Sequence, residues 1–233
     1  MEQSLSPIIG VMSSKGVHLE LDKSAMAGLK KMPVDIFDNE YLGEVHNNSL
    51  NLCVDVRNFS DFLCSQDEDT VFQLIKEFTS NLLSCINQFA YGCSYYKLLG
   101  DGALIIWDEA NESTINEALT MFEAYTEFVN EELFKPHEKL GLAGALVIDE
   151  VYKYEMSAEL SQLKYRDYVG YGINLACRLQ NLANSNELVI NEILAKTGLP
   201  FRIDVSKKII RELRVLKGLK KEDRKRVLFY DKS

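Results

Sequence analysis

Asp55 falls at the end of a run in which Leu50, Leu52, Val54 and Val56 alternate with Asn51 and Cys53, the period-two pattern of a strand with one apolar side. Asp101 stands between Gly100 and Gly102, in the break between the apolar segments 95–99 and 103–107, where an Asp-Gly pair signals a tight hairpin. Taken singly, Asp101 reads as a turn residue and Asp55 as the residue that closes a strand. Neighbouring strands could bring the two side by side, and paired carboxylates repel unless cations lie between them. Magnesium suits such hard oxygen ligands and accompanies triphosphates. Asn174 and Arg178 are four apart, hence on one helix face; alone they read as an exposed polar stripe.

The elements that must position these residues follow from periodicity. Asp67, Glu68 and Asp69 place negative charge where a helix N-terminus favours it, and Val71, Leu74, Ile75, Phe78, Leu82 and Ile86 recur at helical spacing, which predicts a helix of about 20 residues. A second helix over 113–133 follows from the stripe Ile115, Ala118, Leu119, Phe122, Tyr125 and Val129, with Pro136 just beyond its end. Strand 141–151 completes the order strand, helix, strand, strand, helix, strand. That order is the ferredoxin-like (βαββαβ) arrangement of an α+β fold, with both helices on one sheet face. Then come a charged segment, a helix near 173–182, and short strands near 187–191 and 225–230. Residues 1–46, punctuated by Pro7, Gly10, Gly16, Gly28 and Pro33, read as an N-terminal extension to a domain spanning 47–233.

The 233 residues suit one globular domain with short appendages. A net charge of −9 argues against a polynucleotide-binding surface, which needs clustered positive charge; a small triphosphate carrying its own metal does not. The cysteines at 53, 64, 85, 93 and 177 include no CxxC pair, so free thiols are expected and zinc is not. With neither a signal-like N-terminus nor an apolar run of membrane-spanning length, a soluble, cytoplasmic protein with no membrane partner is expected.

Four segments resemble the class III adenylyl and guanylyl cyclases. VDVRNFSDF (54–62) is similar to the family's metal-binding opening, KLLGDGALIIW (97–107) to its KxxGDG hairpin, and RDYVGYGINLACRL (166–179) to its catalytic helix, with Gly170, Asn174 and Arg178 at the family's spacing. VLKG (215–218) followed by VLFY (227–230) resembles its C-terminal strands. The resemblance runs from about Leu50 to Tyr230. It implies a class III cyclase catalytic domain over 47–233 that closes a nucleoside triphosphate into a 3′,5′-cyclic nucleotide and expels pyrophosphate.

The resemblance also implies roles. Asp55 and Asp101, with the Val56 carbonyl, would hold two Mg2+ or Mn2+ ions per active site. The N–H groups of Asn58, Phe59 and Ser60 would receive phosphate oxygens. Asn174 would orient the ribose, and Arg178, whose planar guanidinium stays charged, would stabilise the α-phosphate in the transition state. Lys217 resembles the family's terminal-phosphate lysine. Lys97 and Asp167 match the positions that read the base edge. Adenylyl cyclases have the same pair, but cytosine offers the same amine and ring acceptor, and uracil can also satisfy it, so U, C and A stay open. Two departures are plain: Asn58 replaces the usual Gly of the turn, and strand 141–145 lacks the basic residue some members use for triphosphate.

A free-standing cyclase with a short N-terminal extension and a VRNFS turn also resembles the bacterial pyrimidine cyclases of Pycsar antiphage systems. That likeness implies cyclic UMP, or next cyclic CMP, as a messenger to a separate cyclic-nucleotide-activated effector. Ordinary adenylyl cyclase and a catalytically silent cyclase-like module are the alternatives. Family members draw metal-binding and base-reading residues from opposite subunits, so a head-to-tail homodimer is expected.

Overall fold

The computed structural model describes residues 8–13, 16–21, 27, 42–137, 139–158, 163–196, 209–211 and 227–231. The chain divides into two compact units, Met1–Leu42 with Glu155–Arg166, and Gly43–Tyr154 with Asp167–Ser233. In the first, strands β1 (Ile8–Ser13) and β2 (Gly16–Leu21) form an antiparallel hairpin inside what the sequence presents as an irregular extension.

The second unit is built on a sheet. Its first strand, β3 (Leu42–Arg57), is followed by the short helix α1 (Phe59–Ser65), helix α2 (Glu68–Phe89), the hairpin β4 (Tyr95–Leu98) and β5 (Gly102–Trp107), and helix α3 (Glu112–Phe128). Then come β6 (Gly141–Ala158) and β7 (Leu163–Val169), of which residues 155–158 and 163–166 are counted with the first unit, α4 (Tyr171–Gln180), β8 (Glu187–Asn191), α5 (Glu192–Lys196), β9 (Ile209–Arg211) and β10 (Val227–Asp231). Among the described residues the strand order is β4-β5-β3-β6-β8-β10-β9, with β7 beside β6. The first four positions, β4-β5-β3-β6, are the ferredoxin-like order expected from βαββαβ.

Local signals account for the helices. The Asp67 side chain accepts from Thr70 N at 3.0 Å and starts α2, whose Leu74, Phe78, Leu82 and Ile86 form a buried i,i+4 stripe. Asn111 and Thr114 cap α3 reciprocally, and a π-helical turn, Val129–Leu133, carries it to the expected end. Both helices pack on the sheet face formed by Leu50, Leu52, Val54, Ala103, Ile105, Trp107, Leu142 and Leu146.

The opposite face is covered too. Cys53, Leu104, Ile106, Ala143, Ala145 and Val147 pack against Leu175, Ala176 and Leu179 of α4. The one-sided strand expected at 50–56 is therefore buried on both sides, Asn51 included at 0% exposure. Two further differences share a cause. β3 starts eight residues before the apolar alternation, through the mostly exposed 43–48, and the charged segment after β6 contains β7. In both, backbone pairing, which leaves no hydrophobic pattern, extends the sheet.

Candidate active site

Strand register brings the two aspartates together. Asp55 of β3 lies directly opposite Gly102 of β5, and Val56 N donates to the Asp101 carbonyl at 3.1 Å. Gly102 is required by that approach: a Cβ there would lie 2.2 Å from the Val54 carbonyl oxygen. The hairpin turn takes its positive φ at Gly100 (79°), so Gly100-Asp101 forms the tip and Gly102 already belongs to the strand. The Asp-Gly signal thus locates the hairpin, although the glycine that bends it is the one before Asp101.

The electrostatics bear the mark of the pairing. Burial, and then the charge of Asp55, hold the Asp101 carboxyl above its usual range. Asp55 Oδ2 accepts from Gln180 Nε2 at 2.9 Å and lies 3.6 Å from Arg57 Nη1, while the Arg57 guanidinium also donates to the Gln180 carbonyl. Among the described residues no group of three or more His, Cys, Asp or Glu side chains converges on a metal position. Two repelling carboxylates beside a backbone nevertheless fit magnesium or manganese, because such ions take one or two carboxylates and draw other ligands from substrate phosphates and water.

The turn after β3 answers the substitution at 58. Asn58 adopts φ 60° and ψ 18°, the left-handed conformation that glycine takes freely and asparagine tolerates best among other residues. Its side chain does not cap α1 and donates instead to the Lys139 carbonyl at 2.6 Å. The N–H groups of Phe59 and Ser60 open the helix and have no intrahelical acceptors.

Lys97 and Asp167, 70 residues apart in sequence, meet as an ion pair at 2.9 Å. Asp167 also accepts from the Tyr95 hydroxyl and from Tyr168 N, each at 2.9 Å. Immediately beyond, Gly170 passes so close to β6 that a Cβ would lie 2.8 Å from both the Glu150 carbonyl oxygen and Val151 Cα. That approach lets α4 begin against the sheet. Leu175, Ala176, Leu179 and Gln180 face inward on α4, leaving Asn174 exposed and Arg178 half-buried on the outer side. Lys217 lies outside the described residues.

All the cysteines are unbridged. Cys53 donates to Cys177 across 3.6 Å, which lowers the Cys177 thiol to about 7.

Gln180 and Tyr95 are the site residues that sequence reasoning passed over. Gln180 is only 4% exposed and continues the apolar i,i+4 row from Ala176, where a polar side chain demands a partner. Tyr95 alternates with Lys97 on a strand, so the two share a face.

No protein-family model and no curated protein matches the sequence. The fold does match solved structures. The adenylyl cyclase CyaB from P. aeruginosa superposes with a TM-score of 0.60 over 80% of this chain and 94% of that one, at 15% identity. The guanylyl cyclase Cya2 gives 0.64 over 81% and 92%, at 16% identity. The guanylate cyclase domain of RhGC from Catenaria anguillulae, in complex with GTP, gives 0.60 over 80% and 96%, at 12% identity. The chain has the α+β fold of class III cyclase catalytic domains.

Proposed function

We propose that this chain is a nucleotidyl cyclase that converts a nucleoside triphosphate to a 3′,5′-cyclic nucleotide and pyrophosphate. The observation that carries the reading is the register of β3 against β5, which sets Asp55 and Asp101 side by side within a cyclase catalytic fold. Asp55, Asp101 and the Val56 carbonyl would hold two Mg2+ or Mn2+ ions, which supply activation of the ribose 3′-hydroxyl and neutralisation of phosphate charge. The Phe59 and Ser60 N–H groups, with that of Asn58, receive phosphate oxygens. Asn174 orients the ribose and Arg178 stabilises the α-phosphate as the 3′-oxygen bonds to it and the bond to pyrophosphate breaks. Lys217 grips the terminal phosphate, and Lys97 and Asp167 read the base.

One copy is an incomplete site in this reading. The inner side of α4 meets Asp55 through Gln180, whereas Asn174 lies on the outer side. A head-to-tail homodimer supplies Lys97, Asp167, Asn174 and Arg178 of one copy to Asp55 and Asp101 of the other. The favoured substrate is UTP, then CTP, giving cyclic UMP or cyclic CMP in antiphage defence, with a separate cyclic-nucleotide-activated effector as its reader. The Lys97–Asp167 pair, a donor beside an acceptor, favours one second reading, an adenylyl cyclase making cyclic AMP.

Purified protein incubated with ATP, GTP, CTP and UTP separately, with magnesium or manganese, tests this by chromatography and mass of the products. Cyclic UMP or cyclic CMP is expected, and is expected to vanish in Asp55→Ala. Cyclic AMP alone moves the assignment to adenylyl cyclase, and no product from any triphosphate overturns it.

A further inference from the structure

Asp167 is 8% exposed and ringed by donors. Oδ2 takes Lys97 Nζ, while Oδ1 takes both the Tyr95 hydroxyl and Tyr168 N, all at 2.9 Å. Tyr95 and Lys97 are alternate residues of β4, opposite Ile106 and Leu104 of β5, so both rise from the same side of the sheet. The Tyr95 ring leans on that of Tyr168, centroids 5.0 Å apart, and the Tyr168 hydroxyl is anchored on Asp108 at 2.8 Å. Oδ1 is therefore clamped from a braced aromatic wall. Oδ2 is the oxygen that meets Lys97, whose side chain is 45% exposed and reaches solvent.

We propose that Tyr95 is a positioning residue that holds the Asp167 carboxylate in one place, and thereby sets how sharply the site tells apart bases of the same size that differ in where they carry a donor and an acceptor. The inference rests on Lys97 and Asp167 being the base-reading pair. Both oxygens of a carboxylate accept, so what matters to a base is where the facing oxygen stands, and two donors on Oδ1 keep the group from shifting. With the carboxylate held, the acceptor Oδ2 keeps a fixed place and Lys97 Nζ supplies the donor beside it. A base with an amine beside a ring acceptor then fits one way round. A base of the same size with a carbonyl beside a ring N–H offers the same two functions in reverse order. Cytosine and uracil form one such pair, adenine and guanine the other. A site whose buried polar groups are left unpaired by the wrong partner discriminates strongly. Without the Tyr95 hydroxyl the carboxylate can shift toward the donor of either base, and the discrimination weakens.

The test compares the parent with Tyr95→Phe, and with Tyr96→Phe as control, Tyr96 being 49% exposed on the other side of β4. The kcat/KM ratios CTP:UTP and ATP:GTP are read in each. Tyr95→Phe is expected to bring the parent's preference within a same-size pair down by about tenfold, the size of one hydrogen bond to a charged group, with KM carrying most of the change. Tyr96→Phe is expected to leave it alone. Turnover that falls equally for all four triphosphates in Tyr95→Phe overturns the proposal, as does an equal loss of preference in the control. Tyr95→His keeps a ring that can donate and is expected to retain more of the ratio than Tyr95→Phe. Should Tyr95→Phe fail to give a cooperative thermal melt, the His variant decides, an unchanged or wholly lost ratio counting against the role. Equilibrium binding of the four triphosphates gives the same ratio as Kd. A parent that binds without cyclising therefore overturns the cyclase assignment while still testing Tyr95, and a parent that binds none overturns both.

Discussion

At the scale of single residues, the candidate site stores repulsion that a metal would relieve. The Asp101 carboxyl holds its proton to higher pH in the folded chain than in the unfolded one, through burial first and the charge of Asp55 second. Native protein thus binds more protons than unfolded protein between those two titrations, and stability falls as pH rises through that window. In chelator at pH 7, Asp101→Asn should melt above the parent by about 1–2 °C, a fraction of a kcal/mol once solvent screening of this part-exposed carboxyl is counted. The gap should close below the ordinary carboxylate range near pH 4, about where both states are protonated. Thermal melts at the two pH values check this, and a variant melting at or below the parent at pH 7 removes the repulsion from the account. The aspartates were legible in the sequence because one sits at the end of an alternating run and the other between two glycines. Gln180 was not, since a buried amide in an amphipathic helix differs from an exposed one only in its partner, which arrives 125 residues away in sequence. Tyr95 was hidden similarly, its partner lying 72 residues on.

At the scale of elements, two glycines one residue apart serve different ends. Gly100 bends the hairpin with φ 79° and has nothing within 4 Å of a would-be Cβ, so Gly100→Ala costs about 1 kcal/mol of backbone strain alone. Gly102 has ordinary strand geometry but abuts the Val54 carbonyl. Gly102→Ala must push β5 from β3 at the point where the aspartates meet, at a cost of about 2–3 kcal/mol. Denaturant unfolding of both variants should rank Gly102→Ala as the more damaging; the reverse order would mean that strand spacing there is slack. The long elements, α2, α3 and the β3–β5 pair, could be read beforehand because burial imposes a period on them. The polar start of β3, strand β7 and the hairpin of residues 8–21 could not, because backbone hydrogen bonds impose none.

At the scale of the whole molecule, the proposed arrangement divides one reaction between two copies. In that arrangement Asp55→Ala would remove the metal half and Arg178→Ala the phosphate half, so each variant alone should be inactive. A mixture should recover up to about a quarter of parental activity per chain, since random pairing gives half heterodimers with one intact site of two. Activity of the mixture no greater than that of the separate variants would sink the shared site. The ion pair between Lys97 and Asp167 also has a consequence for how such an assembly meets its ligand. Before any base arrives, each group already has its complement at 2.9 Å, so the unliganded protein behaves as though it carried a built-in competitor at unit stoichiometry. In the proposed arrangement a nucleotide would have to separate the pair before profiting from either half, its apparent affinity scaled by the fraction of molecules in which the pair stands open. Small polar molecules that could satisfy only one of the two groups would thereby be held off, and the proposed site would respond to ligands that replace both at once.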